Sequence, residues 1–410
     1  MKKYIYILIA LFFYTASNAQ IVNIPDANFK FTLVNLPCVD TNNDGMGDSD
    51  ADTNDDGEIQ VSEAEAVQGL YFLNQGIISL EGIQSFITLK GFGFGGDEII
   101  NVDLTQNLLL ESLSFNSISI TSIDISQNIN LIELRIGETQ ITELVLTNNQ
   151  QLLILECTHS PITTIDISQN INLIELGCTY TPLTEIDLSG NPNLEDVLVR
   201  FNQLTSLDVS NLPNLRELDF NLNQVTELDV ANNPNLESLI ADDNLITSLD
   251  VSQNPNLFRV TISNNNLTNL NLKNGNTNNI FKMWAHDNSN LTCIQVDDVT
   301  YPSTQVCTSS NGWCKDDIAI YSEDCSLGVD DVLATQITVY PNPTQNVLAI
   351  ENSSNINITT IKVYDIQGRL VLQKNNPSSL LNISHLDNGL LFVQLETENG
   401  QNIVKKIIKQ

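Results

Sequence analysis

From Ile99 onward the chain repeats one arrangement of apolar and polar positions nine times, each copy opening 21 residues after the last, at Ile99, Ile120, Ile141, Ile162, Leu183, Leu204, Val225, Ile246 and Leu267. Within a copy the apolar residues fall at positions 1, 4 and 6 and again at 12, 15 and 17, as in Leu204, Leu207, Val209, Leu215, Leu218 and Phe220. A helix would sustain a 3.6-residue period over ten or more residues, whereas here each alternation stops after two inward positions. Short strands joined by turns are predicted in both halves of the copy. Asn stands three residues after the last apolar position of many halves, at Asn191, Asn233 and Asn254 in the first and at Asn202, Asn223, Asn244 and Asn265 in the second. Asn-Pro-Asn at 191–193, 233–235 and 254–256 marks a corner, because Asn tolerates turn dihedrals and Pro presets φ. A weaker 22-residue copy begins at Ile77, and a stretched last one runs from Leu267 to Asn290. Such an array stacks neighbours to bury a shared core, and no single copy persists alone.

The stretch from Leu215 to Val225 reads L-x-x-L-x-L-x-x-N-x-L, and the nested eleven-plus-ten pattern resembles the bacterial 21-residue class of leucine-rich repeats. The resemblance covers residues 77 to about 290 and implies a mainly β solenoid with inward Leu, Ile and Val and with Asn satisfying turn backbone. The outward positions then distinguish two faces. Position 5 is nearly constant: Asp103, Asp124, Val145, Asp166, Asp187, Asp208, Asp229, Asp250 and Asn271. It reads as a solvated acidic row, with a divalent-cation or cationic-partner surface as the alternative. Positions 14, 16, 18 and 19 vary. Position 19 places His159, Tyr180, Phe201 and Leu222 on consecutive copies, with Arg200 beside them and Arg135 on an earlier copy. Aromatic and Arg side chains on a variable surface are what an interface uses, so Arg135, His159, Tyr180, Arg200 and Phe201 are the candidate ligand-binding residues. The competing expectation is that they pack over neighbouring turns as scaffold.

Ahead of the repeats, residues 52–63 match the twelve-residue EF-hand loop. Asp52, Asn54 and Asp56 stand at positions 1, 3 and 5, Gly57 at the sharp turn, Glu58 at position 7, Ile59 at position 8, Gln60 at position 9 and Glu63 at position 12. A structural Ca2+ held by Asp52, Asn54, Asp56, Glu58, Gln60 and Glu63 is expected. The preceding acidic run, Asp40 to Asp50, begins in the same way but has Gly47 and Ala51 at its positions 8 and 12, so a full ligand set is not expected there. With a helix over Val61 to Leu70, the segment is similar to the loop-helix calcium motif of dockerins. Together with residues 24–30 it resembles the N-terminal region of secreted Bacteroidetes leucine-rich-repeat proteins, which implies a cap over the open first coil.

After the repeats, Cys293, Cys307, Cys314 and Cys325 gather around Trp313. No C-x-x-C pair supports zinc, and two disulfides closing a distal cap fit better; of the three possible pairings we favour Cys293 with Cys325 and Cys307 with Cys314. Cys157 and Cys178 share inward position 17 on adjacent copies and read as reduced core residues, and Cys38 is left over.

Charge and composition narrow the function classes. Of 50 acids and 17 bases, residues 335–410 hold 5 and 6 and the first three residues hold two bases, so the body between carries 45 acids against 9 bases. Nucleic-acid binding is excluded on that ground, since it requires basic residues to displace counterions. Lys2 and Lys3, the apolar run from Tyr4 to Phe13 and Ser17-Asn18-Ala19 read as a signal peptide over residues 1–19, and no later stretch is apolar enough to form a transmembrane segment. The expected order is signal peptide 1–19, N-terminal cap 20–76, solenoid 77–290, cysteine-rich cap 291–325, linker 326–336 and a final domain 337–410.

That final domain, with Val339-Tyr340-Pro341-Asn342-Pro343-Thr344, Val363-Tyr364-Asp365-Ile366-Gln367-Gly368-Arg369-Leu370, Asn388-Gly389, Gly400 and the closing 405–409 basic run, resembles the type A C-terminal sorting domain of the type IX secretion system. Alternating runs at 347–350, 361–364 and 391–395 predict a small β-sandwich. Leu390-Leu391-Phe392 departs from the family, which usually has an aromatic two residues after the Gly. The resemblance implies export by the signal peptide, outer-membrane passage through the type IX machinery, and release or attachment at the surface. Only three histidines exist and no nucleophile motif surrounds them, so no catalytic residues are assigned. A secreted or cell-surface binding protein, an adhesin or recognition module with a protein or glycan ligand, is expected; the alternative is a structural surface component associating through divalent cations.

Overall fold

The computed structural model describes residues 20–308, 310–325, 337–352, 357–398 and 402–410. The expected signal peptide and the 326–336 linker lie outside them. The chain divides into two units, which meet in sequence between Val225 and Thr226.

The first unit opens with helix α1 (Ala27–Asn35), followed by a one-turn helix α2 (Val61–Ala64) and eight strands: β1 (Gly69–Leu73), β2 (Gly91–Gly95), β3 (Ser112–Asn116), β4 (Glu133–Gly137), β5 (Ile154–Thr158), β6 (Glu175–Gly177), β7 (Asp196–Leu198) and β8 (Glu217–Asp219). They pair in parallel in sequence order, with Gly69, Gly91, Ser112, Glu133 and Ile154 in one register row. Inward Leu113, Leu134, Leu155, Leu176, Val197 and Leu218 are wholly buried. Cys157 and Cys178 are buried free thiols in the same core, and the thiol of Cys157 is held well above its ordinary value by its hydrogen bond to Cys178 and by burial. Near the N-terminus the core is aromatic instead: Phe72, Phe92, Phe94 and Phe115 form a chain of ring contacts that Phe29 of α1 joins at 5.8 Å.

Two expectations are corrected here. The helix read over Val61 to Leu70 lasts only four residues, because Gly69–Leu73 is recruited as the first strand of the parallel sheet, ahead of the first copy visible in the sequence. In the first unit, only the second half of each copy is a strand. The first half is extended chain with tight turns, and its coil-to-coil bonds run largely through side chains. Asn107, Asn128, Asn149, Asn170 and Asn191, all fully buried, each donate Nδ2 to two carbonyls of the preceding coil, as Asn170 does to Leu146 at 3.2 Å and Asn149 at 2.8 Å. The Oδ1 atoms of these residues are buried without a partner, a recurring cost of the device.

The acidic row also has a task within the chain. Asp103, Asp124, Asp166, Asp187 and Asp208 each accept the backbone N–H two residues on, at 2.9–3.0 Å. This is the Asx turn that bends the coil out of its first half. The hydroxyl and N–H of Ser126, Ser168, Ser189 and Ser210 hold the corresponding carboxyls below the usual carboxylate range.

In the second unit the strands of the repeat's second half are β9 (Ser238–Ile240), β11 (Arg259–Thr261), β13 (Lys282–Ala285) and β15 (Gly312–Lys315). Here the first halves do form strands, β10 (Ser248–Asp250), β12 (Asn269–Asn271), β14 (Cys293–Gln295) and β16 (Ile320–Ser322), paired in that order. Cys293–Cys325 and Cys307–Cys314 are the two disulfides, and Trp313 is buried beside them with its indole N–H on the carbonyl of Ile280 at 2.7 Å. The C-terminal domain consists of two antiparallel sheets. One is β17 (Ile337–Tyr340), β18 (Val347–Asn352) and β21 (Leu380–Asn382); the other is β20 (Leu370–Asn375), β19 (Ile358–Tyr364), β22 (Gly389–Thr397) and β23 (Asn402–Lys409). Their inward residues make one core that includes Leu391, the residue standing where the sorting-domain resemblance leads one to expect an aromatic.

Asn170→Ala removes two buried hydrogen bonds and should lower stability by about 1 to 3 kcal/mol, read as a shift in urea midpoint; Leu212, which occupies the same position in its own coil, should be insensitive to replacement by Asn. Because the Asp-row carboxyls are depressed in the folded state, their contribution is fully present above the unfolded value of about 3.9 and is lost as pH falls through the folded value. Melting temperature should therefore fall as pH drops below about 4. Asp124, Asp166, Asp187 and Asp208 changed together to Asn keep an acceptor for the turn N–H and should flatten that acid limb; an unchanged limb would refute the assignment.

Candidate functional site

The second-half strand of each coil ends in a turn whose residue at position 19 has a left-handed backbone. In the first unit Ser117, Glu138, His159, Tyr180, Phe201 and Leu222 all have φ between 50° and 56°. The N–H of such a residue reaches the next coil's position-18 carbonyl, as His159 does to Thr179 at 3.0 Å, Tyr180 to Arg200 at 3.1 Å and Phe201 to Asn221 at 2.9 Å. Glycine or Asn adopts this conformation most cheaply, and Asn74 and Gly96 do so in earlier coils. Four consecutive coils instead place His, Tyr, Phe and Leu there.

The side chains at these positions form a column. His159 and Tyr180 stack with centroids 4.3 Å apart and planes 17° from parallel, and Tyr180 and Phe201 stack at 3.9 Å and 14°. Tyr180 is covered by a ring on both faces yet remains 44% exposed, so the column presents ring edges outward. Left-handed backbone at a bulky residue costs about 1–3 kcal/mol, and each aromatic pair returns about 0.5–1.5 kcal/mol. Two pairs do not offset four strained positions, so packing alone is an insufficient reason for the column.

Sequence position grouped Arg135 and Arg200 with these rings; the structure separates them from the column. Both lie on the sheet face. Arg200 pairs with Asp219 at 3.7 Å, and Arg135 bridges Glu133 and Glu156. Burial raises the neighbouring Glu175 carboxyl, and its hydrogen bond with Glu156 adds to the effect while Arg135 opposes it. Arg135 and Glu133 also wall a hollow of about 370 Å³ whose opposite side is Tyr71. The Tyr71 ring lies along β2 in the space that side chains at Gly91 and Gly93 would fill. The outward glycines of β2 were legible in the sequence, but their role needed the pairing of β1 with β2, which no repeat signal announced.

The loop from Asp52 to Glu63 has the turn its sequence demands. Asp52 is nearly buried and accepts from Asp56 N–H at 3.2 Å and Gly57 N–H at 2.8 Å, with Asp55 and Gly57 left-handed. Asn54 and Asp56 accept the N–H groups two residues on, and the Gln60 amide links Asn54 to Asp56. Glu63 accepts from Thr53 at 2.9 Å and from Gln60 N–H at 2.9 Å, capping α2. The Glu58 side chain is taken by Lys30 at 2.6 Å, which leaves its carbonyl for the position-7 role. Among the described residues no three Asp, Glu, His or Cys side chains converge as a metal-holding group. The donor set suits calcium in its chemistry, being oxygen throughout and including an amide and a backbone carbonyl.

The first acidic run folds alike. Asp40 accepts from Asn43 and Gly45, Asn43 and Gly45 are left-handed, and Asp48 binds Thr41 as Glu63 binds Thr53. The shared Asp-Thr-Asn-x-Asp-Gly spelling at 40–45 and 52–57 made the common start legible in the sequence, but not that Asp48 takes the place of Glu63. The start of α1 is joined to the first coil through Asp26. Its carboxylate accepts the N–H groups of Asn28 and Phe29 at the start of α1 and those of Ile78 and Ser79 in the first coil, and these bonds lower its pKa against the opposing effect of burial.

Residues 338–410 match the family described as the secretion system C-terminal sorting domain. An internalin (inlF) from Listeria monocytogenes is similar in structure with TM-score 0.55 at 18% identity, over 75% of this chain and 99% of that one. The functional domain of InlJ from the same species gives TM-score 0.40 at 18% identity over 95% and 98%, and a leucine-rich-repeat protein of Leptospira interrogans gives 0.40 at 17% over 58% and 79%. No curated protein matches the chain in sequence. At these identities the likeness to the inlF structure is one of fold. The sorting domain implies secretion to the cell surface or the extracellular space, and among the described residues no helix is long and apolar enough to cross a membrane. The chain has the fold of a leucine-rich-repeat solenoid, and its residues 338–410 match the secretion system C-terminal sorting domain family.

Proposed function

We propose that the protein is a non-enzymatic adhesin or recognition module, sent through the type IX machinery to the cell surface or beyond, and that it contacts its ligand through the column His159, Tyr180, Phe201 and Leu222. The observation that carries this reading is the run of bulky side chains at left-handed positions where Gly or Asn would serve the fold. Because the rings cover one another's faces and expose their edges, the column suits the irregular apolar surface of a protein better than a sugar, which stacks on an open ring face. The divalent-bridged structural role drew its support from the Asp row, whose regularity the Asx turns already account for.

In this reading calcium is structural. Asp52, Asn54, Asp56, the Glu58 carbonyl and Glu63 hold it, and the ion stiffens the cap that Asp26 ties to the first coil. When bound it supplies charge neutralisation to the carboxylates of the loop and no reactive chemistry.

Screening the mature protein against arrays of proteins and glycans should give saturable binding to a protein. Tyr180→Ala with Phe201→Ala should then weaken that binding well over tenfold, since aromatic interface anchors contribute about 2 kcal/mol or more each. The fold should be unchanged, because inward Leu176, Val199 and Leu218 stay in place. Loss of binding on changing Asp187 and Asp208 to Asn, with the aromatic set neutral, would move the site to the other face. Calcium should raise the melting temperature with an affinity of about 10⁻⁴ to 10⁻³ M, and Glu63→Gln should abolish the rise. Equal melting in calcium and in chelator, with no calorimetric heat of binding, would end the calcium assignment.

A further inference from the structure

The sheet face of the second unit carries a cluster unlike the rest of this acidic molecule. Arg259 on β11 and Lys282 on β13 are register partners, so two cations face each other across a parallel pair, an arrangement that is destabilising by itself. Neither is ion-paired among the described residues, although the chain has 50 acids to 17 bases. The other four arginines all sit against carboxylates: Arg135 on Glu133 and Glu156, Arg200 on Asp219, Arg216 on Glu195 and Arg369 on Asp365. Arg259 stands apart from that pattern.

Its neighbours share the deficit. Lys282 Nζ lies 3.6 Å from the ring centre of Trp284, which fixes the ammonium over the indole. The Nε of Arg259 and the Nε1 of Trp284 are buried without hydrogen-bond partners, and these residues occupy the paired strands β11 and β13. Orphaned buried donors are rare in folded proteins and call for an explanation. The carboxylate that acts on Lys282, Asp242, is itself largely buried and engaged by Ser263 N–H at 2.7 Å. Asp242 is thereby committed to Thr261 and Ser263, and the Arg259 Nε–H and the Trp284 indole N–H are left without an acceptor.

We propose that Arg259, Lys282 and Trp284 form a binding site for an oxyanion, the carboxylate or sulfate group of a ligand. A guanidinium presents two parallel donors to such a group, Lys supplies a point charge, and the indole N–H a third direction. The site is on the sheet face of the second unit and does not depend on the column in the first. Its selectivity follows from the molecule's charge: with 45 acids in the body, anions are repelled elsewhere, so only a place where cations are left uncompensated attracts one.

Trp284 and Trp313 are the two tryptophans of the chain, and Trp313 is buried beneath the disulfide-closed end, so indole fluorescence of the full mature protein reports on the site. Titration with sodium sulfate and with D-glucuronate at constant ionic strength should give a saturable change that D-glucose does not produce. Response to sulfate alone identifies a site for a free tetrahedral anion, and response to glucuronate identifies one that takes the carboxylate of an acidic sugar; either supports the proposal. Arg259→Gln and Lys282→Gln should each weaken the response at least tenfold, whereas Arg259→Lys, retaining the charge, should recover part of it and serves as the folding control. No saturable response to either anion, an equal response to glucose, or a response that persists in the Arg259→Gln, Lys282→Gln double variant would overturn it.

Discussion

The amide of a buried asparagine, shared between two carbonyls of the coil before it, is the interaction on which the array in the first unit depends. Strand pairing supplies coil-to-coil bonds only in the second half of each copy there, over three to five residues. On the other side of the coil the chain bends twice within a few residues and leaves carbonyls that no strand partner can reach. Asn107, Asn128, Asn149, Asn170 and Asn191 reach them with a side chain of fixed length, and this is compatible with one spacing of coils. The second unit relaxes the requirement where β10, β12, β14 and β16 pair along the first half, although Asn254 still donates to Val230 and Asn233. The hydrophobic core provides most of the driving force, but it is non-directional. The amides give it a repeat distance.

That constraint explains the division of surfaces. Residues at the first-half corner are bound to structural tasks, Asn inside and Asp outside, and the Asp row is nearly uniform because the turns, that at Val145 apart, use the same acceptor. At the second-half corner the backbone needs only a left-handed residue, which any side chain supplies at a cost. Variation is therefore concentrated there and on the strand face. In the first unit the variation yields an aromatic column and a carboxylate-rich face with its arginines paired; in the second it yields Arg259 and Lys282, which have no ion-pair partner among the described residues. A scaffold with one rigid face and one permissive face is suited to presenting a surface.

The two ends are built differently from the middle because an exposed coil edge must be covered. At the N-terminal end Phe29 and Asp26 cover it, the first by ring contact and the second by its bonds to the N–H groups of Ile78 and Ser79. At the other end two disulfides and Trp313 hold strands that continue both halves of the coil. The sorting domain keeps a separate core of its own, consistent with an element that serves export and needs no contribution from the repeat.

By itself the sequence determined the repeat, its inward residues, the sorting domain, the loop spelling and the cysteines, because each of these is a local pattern with a local cause: period, spacing or turn chemistry. The pairing of Cys293 with Cys325 and Cys307 with Cys314, favoured among three, was settled only by which strands the coil ends bring together. Tertiary structure alone decided that Gly69–Leu73 is a strand and not the end of a helix, since the edge of β2 recruits it against its local preference. It also decided which residues meet across coils. His159, Tyr180 and Phe201 stand 21 residues apart, and their stacking follows from the left-handed turn that aims each of them, a dihedral that no His, Tyr or Phe announces. Arg259 and Lys282 are neighbours only because the stretched last copy still keeps register in the sheet, and their want of an acceptor becomes visible only once every other arginine has been seen to have one.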